Sequence, residues 1–137
     1  MNNTKLKRVL LVDDDDTSNM LSKLFLKKII PDLDIDTVID GYRAIDFIEA
    51  NIKEIEGGGF LVILDIEMPK MNGWQFLQAF EILFTKEEKN KVIIAVLTAN
   101  HSEEITYKAL SHPQVKECLG KPLSDIGFRE IIRTYFT

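Results

Sequence analysis

The sequence contains few of the residues that cross-link a chain or anchor it in a membrane. Its 137 residues include a single cysteine, Cys118, so no intrachain disulfide can form, and this suits a reducing cytoplasm. The longest uninterrupted apolar run, residues 92–97, is far shorter than the roughly 20 residues that a membrane-spanning helix needs. The basic residues near the start are followed by an apolar run that stops at Asp13, which is too short for a signal peptide.

Positive charge is also scarce. The chain has 17 lysines and arginines against 22 aspartates and glutamates, which gives a formal net charge of -5. A nucleic-acid-binding domain is expected to carry a basic stripe instead. We therefore expect a cytoplasmic protein that makes no direct contact with nucleic acid and does not insert into a membrane.

Short apolar runs alternate along the chain with segments of helical period. The apolar runs predict five strands, at residues 7–13, 35–39, 60–65, 92–98 and 115–119. Helices are predicted at residues 17–30 and 41–52 and after the capping residues Asn72, Ser102 and Ser124. This alternation is typical of an α/β fold, and it predicts a parallel sheet with helices on both faces.

Four segments carry further predictions. One face of the first helix holds the apolar residues Met20, Leu21, Leu24, Phe25 and Ile29. Asp16 or Thr17 is expected to cap this helix, where negative charge suits the helix dipole. Residues 85–91 are polar and predict a loop. Glycines 57–59 predict a flexible loop, and they form no nucleotide-binding P-loop because no Lys-Ser or Lys-Thr pair follows them.

Polar side chains follow the predicted strands at their carboxyl ends. Residues 13–16 are four aspartates after the first strand, Asp65 ends the third, Thr98 ends the fourth, and Lys121 comes just past the fifth. In the doubly wound strand order 2-1-3-4-5, the first and third strands are adjacent at the switch point, so these side chains would face one crevice. Converging carboxylates need a cation, and with one they can handle phosphate.

Several short motifs at these strand ends occur together. They are Val12-Asp13-Asp14, Asp65 followed by Met68-Pro69 and Gly73, Thr98-Ala99, and Lys121-Pro122. In this combination the chain resembles a receiver domain of the two-component response-regulator family, of the stand-alone chemotaxis-regulator type. The resemblance covers about residues 7–136 and implies a flavodoxin-like, five-stranded sheet of order 2-1-3-4-5. Residues 1–137 are then expected to form a single receiver domain with no output domain.

The resemblance implies roles for individual residues. Asp65 would receive a phosphoryl group from a histidine kinase or a histidine phosphotransfer protein, and Thr98 and Lys121 would contact that group. Mg²⁺ would be bound by the carboxylates of Asp13, Asp14 and Asp65 and by the backbone carbonyl of Glu67. Mg²⁺ prefers oxygen ligands, and its charge would let an anionic carboxylate act as the nucleophile.

By the same resemblance, the chain is expected to be a signalling switch rather than an enzyme. Its signal would pass to an unknown downstream protein through the region that begins at Ser102 and ends at Tyr135, which is the output face usual in the family. A phosphorelay intermediate is equally compatible with these residues.

The chain departs from the family pattern at two positions. Glu67 places a carboxylate two residues after Asp65, where a neutral polar residue is frequent. Cys118 lies three residues before Lys121, where receivers usually have an aromatic that turns inward on activation. We expect Cys118 to be a small buried apolar residue. The Lys121–Pro122 bond is a candidate cis peptide, which would aim the lysine inward.

Two other functions are compatible with part of the pattern. In a haloacid-dehalogenase-like phosphatase, Asp13 would be the nucleophile and Asp15 the general acid/base, with Thr98 and Lys121 in support. That interpretation leaves Asp65 and its Met-Pro turn unexplained. The chain could also be a binding module that works without phosphorylation. Such a module would not need the acids, the threonine and the lysine together, so their joint presence argues against this alternative.

Overall fold

The computed structural model describes residues 5–55 and 59–136, and its centre is a parallel five-stranded sheet. The strands are β1 Arg8–Val12, β2 Asp34–Val38, β3 Phe60–Asp65, β4 Val92–Thr98 and β5 Val115–Gly120. Their order in the sheet is β2-β1-β3-β4-β5, so the predicted doubly wound topology is confirmed. Every predicted strand is present.

Helices connect the strands on both faces of the sheet. They are α1 Asp16–Ile29, α2 Gly41–Asn51, α3 Gly73–Leu83, α4 Lys86–Lys89, α5 Glu103–Leu110 and α6 Asp125–Tyr135, with a 3₁₀ turn at Ile52–Glu54. Within the described ranges, no helix is long and apolar enough to cross a membrane. Of the predicted glycine loop, positions 57 and 58 lie outside the described residues.

The single-turn helix α4 lies where the sequence predicted only a loop. Its first turn is closed by reciprocal hydrogen bonds. The N–H of Glu88 donates to Thr85 Oγ1 at 3.1 Å, and the N–H of Thr85 donates to Glu88 Oε1 at 2.9 Å. This capping box satisfies two backbone donors that a polar loop would leave to water. The prediction of a loop here was wrong because the pattern is too short to show helical periodicity.

Two apolar layers hold the helices against the sheet. On one face, Phe76 of α3 and Ala109 of α5 pack in the same cluster as Val62 of β3. On the other face, α1 and α6 cover the sheet, and the rings of Phe25 and Phe128 meet edge to face with centroids 6.5 Å apart. Because β1, β3 and β4 are covered on both sides, nearly all of their residues are buried, and they give the rigid base on which the sheet edge is built.

The apolar face predicted for α1 is divided in the structure. Phe25 and Ile29 are half-buried and pack against the layer beneath the helix. Three other residues of that face are 58%, 60% and 62% exposed, namely Met20, Leu21 and Leu24. The fully buried side of α1 carries Asn19 and Leu26, which are seven residues and therefore about two turns apart. The three exposed residues lie on a different side of the helix from Asn19 and Leu26. Together they form an uncovered apolar surface.

The register of the sheet aligns the strand ends that carry polar residues. Val12 pairs with Leu64, and Thr98 pairs with Gly120. Since all strands are parallel, the residues that follow these pairs emerge at one edge of the sheet.

Candidate functional site

Lys121 joins the ends of β1 and β3. Its ammonium group donates to Asp13 Oδ2 at 2.8 Å and to Asp65 Oδ2 at 3.3 Å. The Lys121–Pro122 peptide bond is cis, which confirms the sequence-based expectation. The backbone N–H of Lys121 donates to the carbonyl oxygen of Thr98 at 2.9 Å. The structure thus brings together polar residues from the ends of four elements.

The titration of this site is strongly perturbed. Burial, followed by the negative charge of Asp13, raises the pKa of Asp65 from 3.8 to about 6, although Lys121 opposes the shift. Burial alone would lower the pKa of Lys121, but its hydrogen bond to Asp13 and the charges of both aspartates outweigh burial and raise it. At neutral pH, Asp65 is therefore mostly an anion held beside a cation, which is a suitable state for a carboxylate nucleophile.

Three carboxylates are close enough to share a cation. One oxygen each from Asp13, Asp14 and Asp65 lies within 4.8 Å of the other two. In an octahedral Mg²⁺ shell with bonds of about 2.1 Å, ligand oxygens lie about 3 to 4 Å apart, so a small inward movement of the carboxylates would suffice. The donors are all oxygens, as a hard divalent cation requires. The residues present therefore fit Mg²⁺.

Glu67 lies in the turn that follows Asp65. Its side chain is exposed, and its backbone N–H donates to Asp65 Oδ1 at 3.2 Å. The turn is thereby folded back onto the carboxylate of Asp65, and the Glu67 backbone is held close to the acidic cluster. Its side chain adds a fourth negative charge near the mouth of the site.

Thr98 is buried at the end of β4. Its Oγ1 accepts a hydrogen bond from the N–H of Asn100 at 3.1 Å. A hydroxyl that accepts one bond can still donate its own hydrogen to an anion. Together with the small side chain of Ala99, this makes Thr98 a suitable donor to an oxygen that carries negative charge.

Asp15, and not Asp16 or Thr17, caps α1. Asp15 Oδ1 accepts from the N–H of Thr17 at 3.0 Å and from the N–H of Ser18 at 3.3 Å. The expected cap was wrong by one or two residues. Hydrogen bonds, led by that from the Ser18 backbone, lower the pKa of Asp15. A capping carboxylate that stays ionised is poorly suited to be a general acid, so this geometry does not favour the phosphatase interpretation.

Gly73 lets α3 begin directly against the Asp65 turn. Its N–H donates to the carbonyl oxygen of Ile66 at 2.8 Å. A Cβ atom at this position would lie 2.7 Å from Ile66 Cα and 2.8 Å from the carbonyl oxygen of Asp65. Asn72 caps the helix, as predicted, by accepting from the N–H of Gln75 at 2.9 Å. Glycine at position 73 is therefore needed for the position of Asp65.

Two grooves open beside the acidic cluster. The first, of about 430 Å³, runs between α1 and the loop after β5, and Asp13 and Lys121 are among its lining residues. Its apolar walls come from Leu21, Phe25, Leu97, Pro122 and Leu123. The second, of about 520 Å³, is lined by residues that include Asp14, Glu67 and Trp74. A partner can therefore reach the cluster from the side of α1 or from the side of the Asp65 turn.

The position usually held by an aromatic in receivers is filled by Cys118. It is buried in the apolar layer, which confirms the expectation of a small buried residue, and burial raises the pKa of its thiol. Tyr107 lies on α5 and is 82% exposed. Cys118 has no ring, so the usual inward movement of an aromatic at this position of β5 does not apply to this chain.

The sequence analysis missed Asn19. This residue is only 5% exposed, and its Nδ2 donates to the backbone carbonyl of Asp13 at 2.8 Å. A signal was available, because Asn19, Ser22, Leu26 and Ile29 recur at helical spacing and form the side of α1 that is most covered. A polar residue within such a stripe needs a buried hydrogen-bond partner.

Comparison with known proteins agrees with this geometry. Residues 9–133 match the family model of the response regulator receiver domain. A two-component response regulator of Cytophaga hutchinsonii superposes with a TM-score of 0.85 at 27% identity, covering 96% of this chain and 97% of that one. The chemotaxis protein CheY4 of Vibrio cholerae gives a TM-score of 0.73 at 21% identity, covering 96% and 99%, and shares the fold.

Curated relatives are longer proteins. The chain is 29% identical to stress response regulator protein 1 of Lodderomyces elongisporus, covering 90% of this chain and 32% of that protein. It is 28% identical to hybrid signal transduction histidine kinase L of Dictyostelium discoideum, covering 95% of this chain and 7% of that protein. It thus spans a third or less of these relatives. Since the family model matches residues 9–133, which is most of the chain, the chain belongs to the response regulator receiver domain family.

Proposed function

We propose that this chain is a phosphoacceptor switch. Asp65 takes a phosphoryl group from the phosphohistidine of a histidine kinase or a histidine phosphotransfer protein, with Mg²⁺ bound beside it. The observation that carries the proposal is the convergence of three carboxylates within 4.8 Å, with the ammonium of Lys121 at 3.3 Å from Asp65 Oδ2. The similarity to a hybrid histidine kinase supports a phosphohistidine as the donor.

The transfer step follows from the states of these side chains. An ionised Asp65 oxygen attacks phosphorus, the P–N bond to the donor imidazole breaks, and the imidazole leaves with the bonding electron pair. Lys121 moves its hydrogen bond from Asp65 to a phosphoryl oxygen, and the Thr98 hydroxyl donates to another. Bound Mg²⁺ would supply positive charge that offsets the charge on the phosphoryl oxygens. The product is an acyl phosphate, which is labile and can therefore signal transiently.

The output is a change of protein contact, with no substrate turnover by the chain itself. Both residues proposed to contact the phosphoryl group flank one region. Thr98 ends β4, the strand that comes before α5, and Lys121 lies between β5 and α6. A shift of either residue would move the surface between Ser102 and Tyr135, on which Tyr107 is strongly exposed. We propose that an unidentified downstream protein recognises this surface.

Phosphorylation of Asp65 is tested by intact mass. In the presence of Mg²⁺ and acetyl phosphate, the wild-type protein is expected to gain the mass of one phosphoryl group. The adduct should be labile to base and to hydroxylamine, as an acyl phosphate is. Asp65→Asn should show no adduct, while Asp125→Asn, which alters an exposed acid of α6, should behave as wild type. An adduct of equal size on Asp65→Asn would refute the proposal.

The first groove is the proposed approach of the phosphodonor protein. Leu21 lines the groove that Asp13 and Lys121 also line, and its neighbours on the helix, Met20 and Leu24, are exposed apolar residues as well. An exposed apolar patch beside a reactive polar group marks a protein-contact site. A helical donor that covers this patch would bring its phosphohistidine to the acidic edge of the sheet.

Leu24→Glu is expected to slow phosphotransfer from a phosphorylated histidine phosphotransfer domain by about tenfold, as loss of one good interface anchor does. Phosphorylation by acetyl phosphate should stay within about twofold of wild type, because a small donor needs no docking surface. The matched control is Ile82→Glu on α3, since Ile82 is equally apolar and even more exposed. Equal slowing by both variants, measured by quenched-flow transfer, would count against this docking surface.

A further inference from the structure

The segment between β1 and α1 carries Asp13 and Asp14, and both apolar and polar residues lie beneath it. A cavity of only about 10 Å³ lies there, and its polar lining residues are Asp13, Asn19, Ser22 and Asp65. Such a volume holds at most about one water molecule, so the polar groups around it must find most of their hydrogen-bond partners in the protein. These hydrogen bonds help to set the direction in which the chain leaves β1.

Besides the bond from the Lys121 ammonium group, Asp13 takes part in three further hydrogen bonds. Its backbone N–H donates to the carbonyl oxygen of Val38 at 3.1 Å, and its Oδ1 accepts from the N–H of Asp15 at 3.0 Å. Its carbonyl oxygen accepts from Asn19 Nδ2 at 2.8 Å. The Asn19 bond is the one of these made by a side chain of α1, and it ties the first turns of the helix back to the end of the strand.

The carbonyl of Asp13 belongs to the peptide group that joins Asp13 to Asp14. The torsion angles on its two sides, ψ of Asp13 and φ of Asp14, set the direction of one carboxylate relative to the other. Asn19 opposes a change in these angles from a buried position on a helix that is itself packed on the sheet. An amide in this position fixes the acids without touching a cation or a phosphoryl group.

We infer that Asn19 is a positioning residue for the acidic site, which holds Asp13 and Asp14 in the orientation that a divalent cation needs. The inference rests on the proposed function, because it assumes that the carboxylates bind Mg²⁺. Groups that orient metal ligands typically change metal affinity by about 10- to 100-fold when they are removed. Asn19→Leu keeps the approximate size of the side chain and removes the donor.

The test compares Mg²⁺ affinity with stability. Mg²⁺ binding is measured by isothermal titration calorimetry, and it is also followed by fluorescence of Trp74, the single tryptophan, which lines a groove with Asp14 and Glu67. Asn19→Leu is expected to raise the dissociation constant for Mg²⁺ by about tenfold or more. Leu26→Ala, a cavity variant on the same buried stripe, should lose stability in urea but keep the wild-type Mg²⁺ affinity.

The outcomes separate this inference from the proposed function. If Asn19→Leu binds Mg²⁺ as the wild type does, or if Leu26→Ala weakens binding equally, the positioning role is refuted while phosphorylation of Asp65 stands. If the wild type itself binds no Mg²⁺, the proposed function fails as well. Should Asn19→Leu not fold, Asn19→Ser serves instead. In the wild type, the side-chain amide resonance of Asn19 should shift with the Asp13 and Asp14 amides during Mg²⁺ titration, and an unmoved resonance would overturn the inference.

Discussion

Without divalent cations, Asp65→Asn protein is expected to be more stable than wild type at pH 7.5, by up to about 3 kcal/mol. Asparagine imitates the protonated carboxyl group, and the folded state favours that form because burial and Asp13 raise the pKa of Asp65 to about 6. Each pKa unit corresponds to about 1.4 kcal/mol, so a shift of about two units sets this upper limit. The site is thus held in an unfavourable charge state that a cation or a phosphoryl group can relieve.

The sign of the pH dependence follows from the raised pKa. The stabilisation that a protonated Asp65 gives is fully present below the unfolded pKa of about 3.8, and it is lost as the pH rises through about 6. The two proteins should therefore unfold at similar urea concentrations at pH 3.5. Between pH 4 and pH 7, the urea midpoint of Asp65→Asn should become higher than that of the wild type.

Mg²⁺ should remove most of this difference in stability. A ligand at 100 times its dissociation constant stabilises the protein that binds it by about 2.7 kcal/mol. The wild type should gain this amount, whereas Asp65→Asn has lost a carboxylate ligand and should gain much less. Asp125→Asn is the control for removal of an exposed acid, and it should follow the wild type throughout. If Asp65→Asn is less stable than the wild type at pH 7.5 without Mg²⁺, the wild-type site is not held in an unfavourable charge state.

Gly73→Ala is expected to lower the free energy of unfolding by about 2 kcal/mol, as overpacking of a close contact does. The new Cβ would fall 2.7 Å from Ile66 Cα and 2.8 Å from the carbonyl oxygen of Asp65, and both are backbone atoms of the turn. The turn must move to accommodate it, and Asp65 moves with the turn. Since a displacement of about 1 Å at a reacting group can cost about 100-fold in rate, phosphorylation by acetyl phosphate should slow by at least about tenfold.

The matched control for this change is Gly127→Ala in α6. There, the nearest atoms to a new Cβ belong to side chains, Ser124 Oγ at 3.0 Å and Leu119 Cδ1 at 3.6 Å. Alanine is favoured over glycine in a helix by up to about 1 kcal/mol, so this variant should be neutral or slightly stabilised. Urea unfolding and the rate of adduct formation are measured for both. If Gly73→Ala were phosphorylated at the wild-type rate, the turn would not need its present position.

Local sequence patterns predicted a strand correctly where both its interior residues and its end gave a clear signal. The bounds of β3 and β4 agree with the predicted residues 60–65 and 92–98, because each run is apolar throughout and stops at a polar residue. The helix α4 was missed because four residues are too few to show a period. The division of the apolar face of α1 was missed because periodicity shows which residues share a side, while the packing of the helix decides which side is covered.

By itself, the local sequence pattern determined the order of the elements along the chain, the parallel sheet that their alternation implies, and which polar residues stand at strand ends, while the strand order came from the resemblance to receiver domains. These follow from side-chain periodicity and from caps, which act over a few neighbouring residues. Only the tertiary structure decided that Lys121 bridges Asp13 and Asp65, that Asp15 caps α1, and that Asn19 holds the Asp13 carbonyl. Asp13 and Lys121 are separated by 108 positions along the chain, and their 2.8 Å contact depends on how the sheet and helices pack. Burial and charge at such contacts set which carboxylate is reactive, and no local pattern contains them.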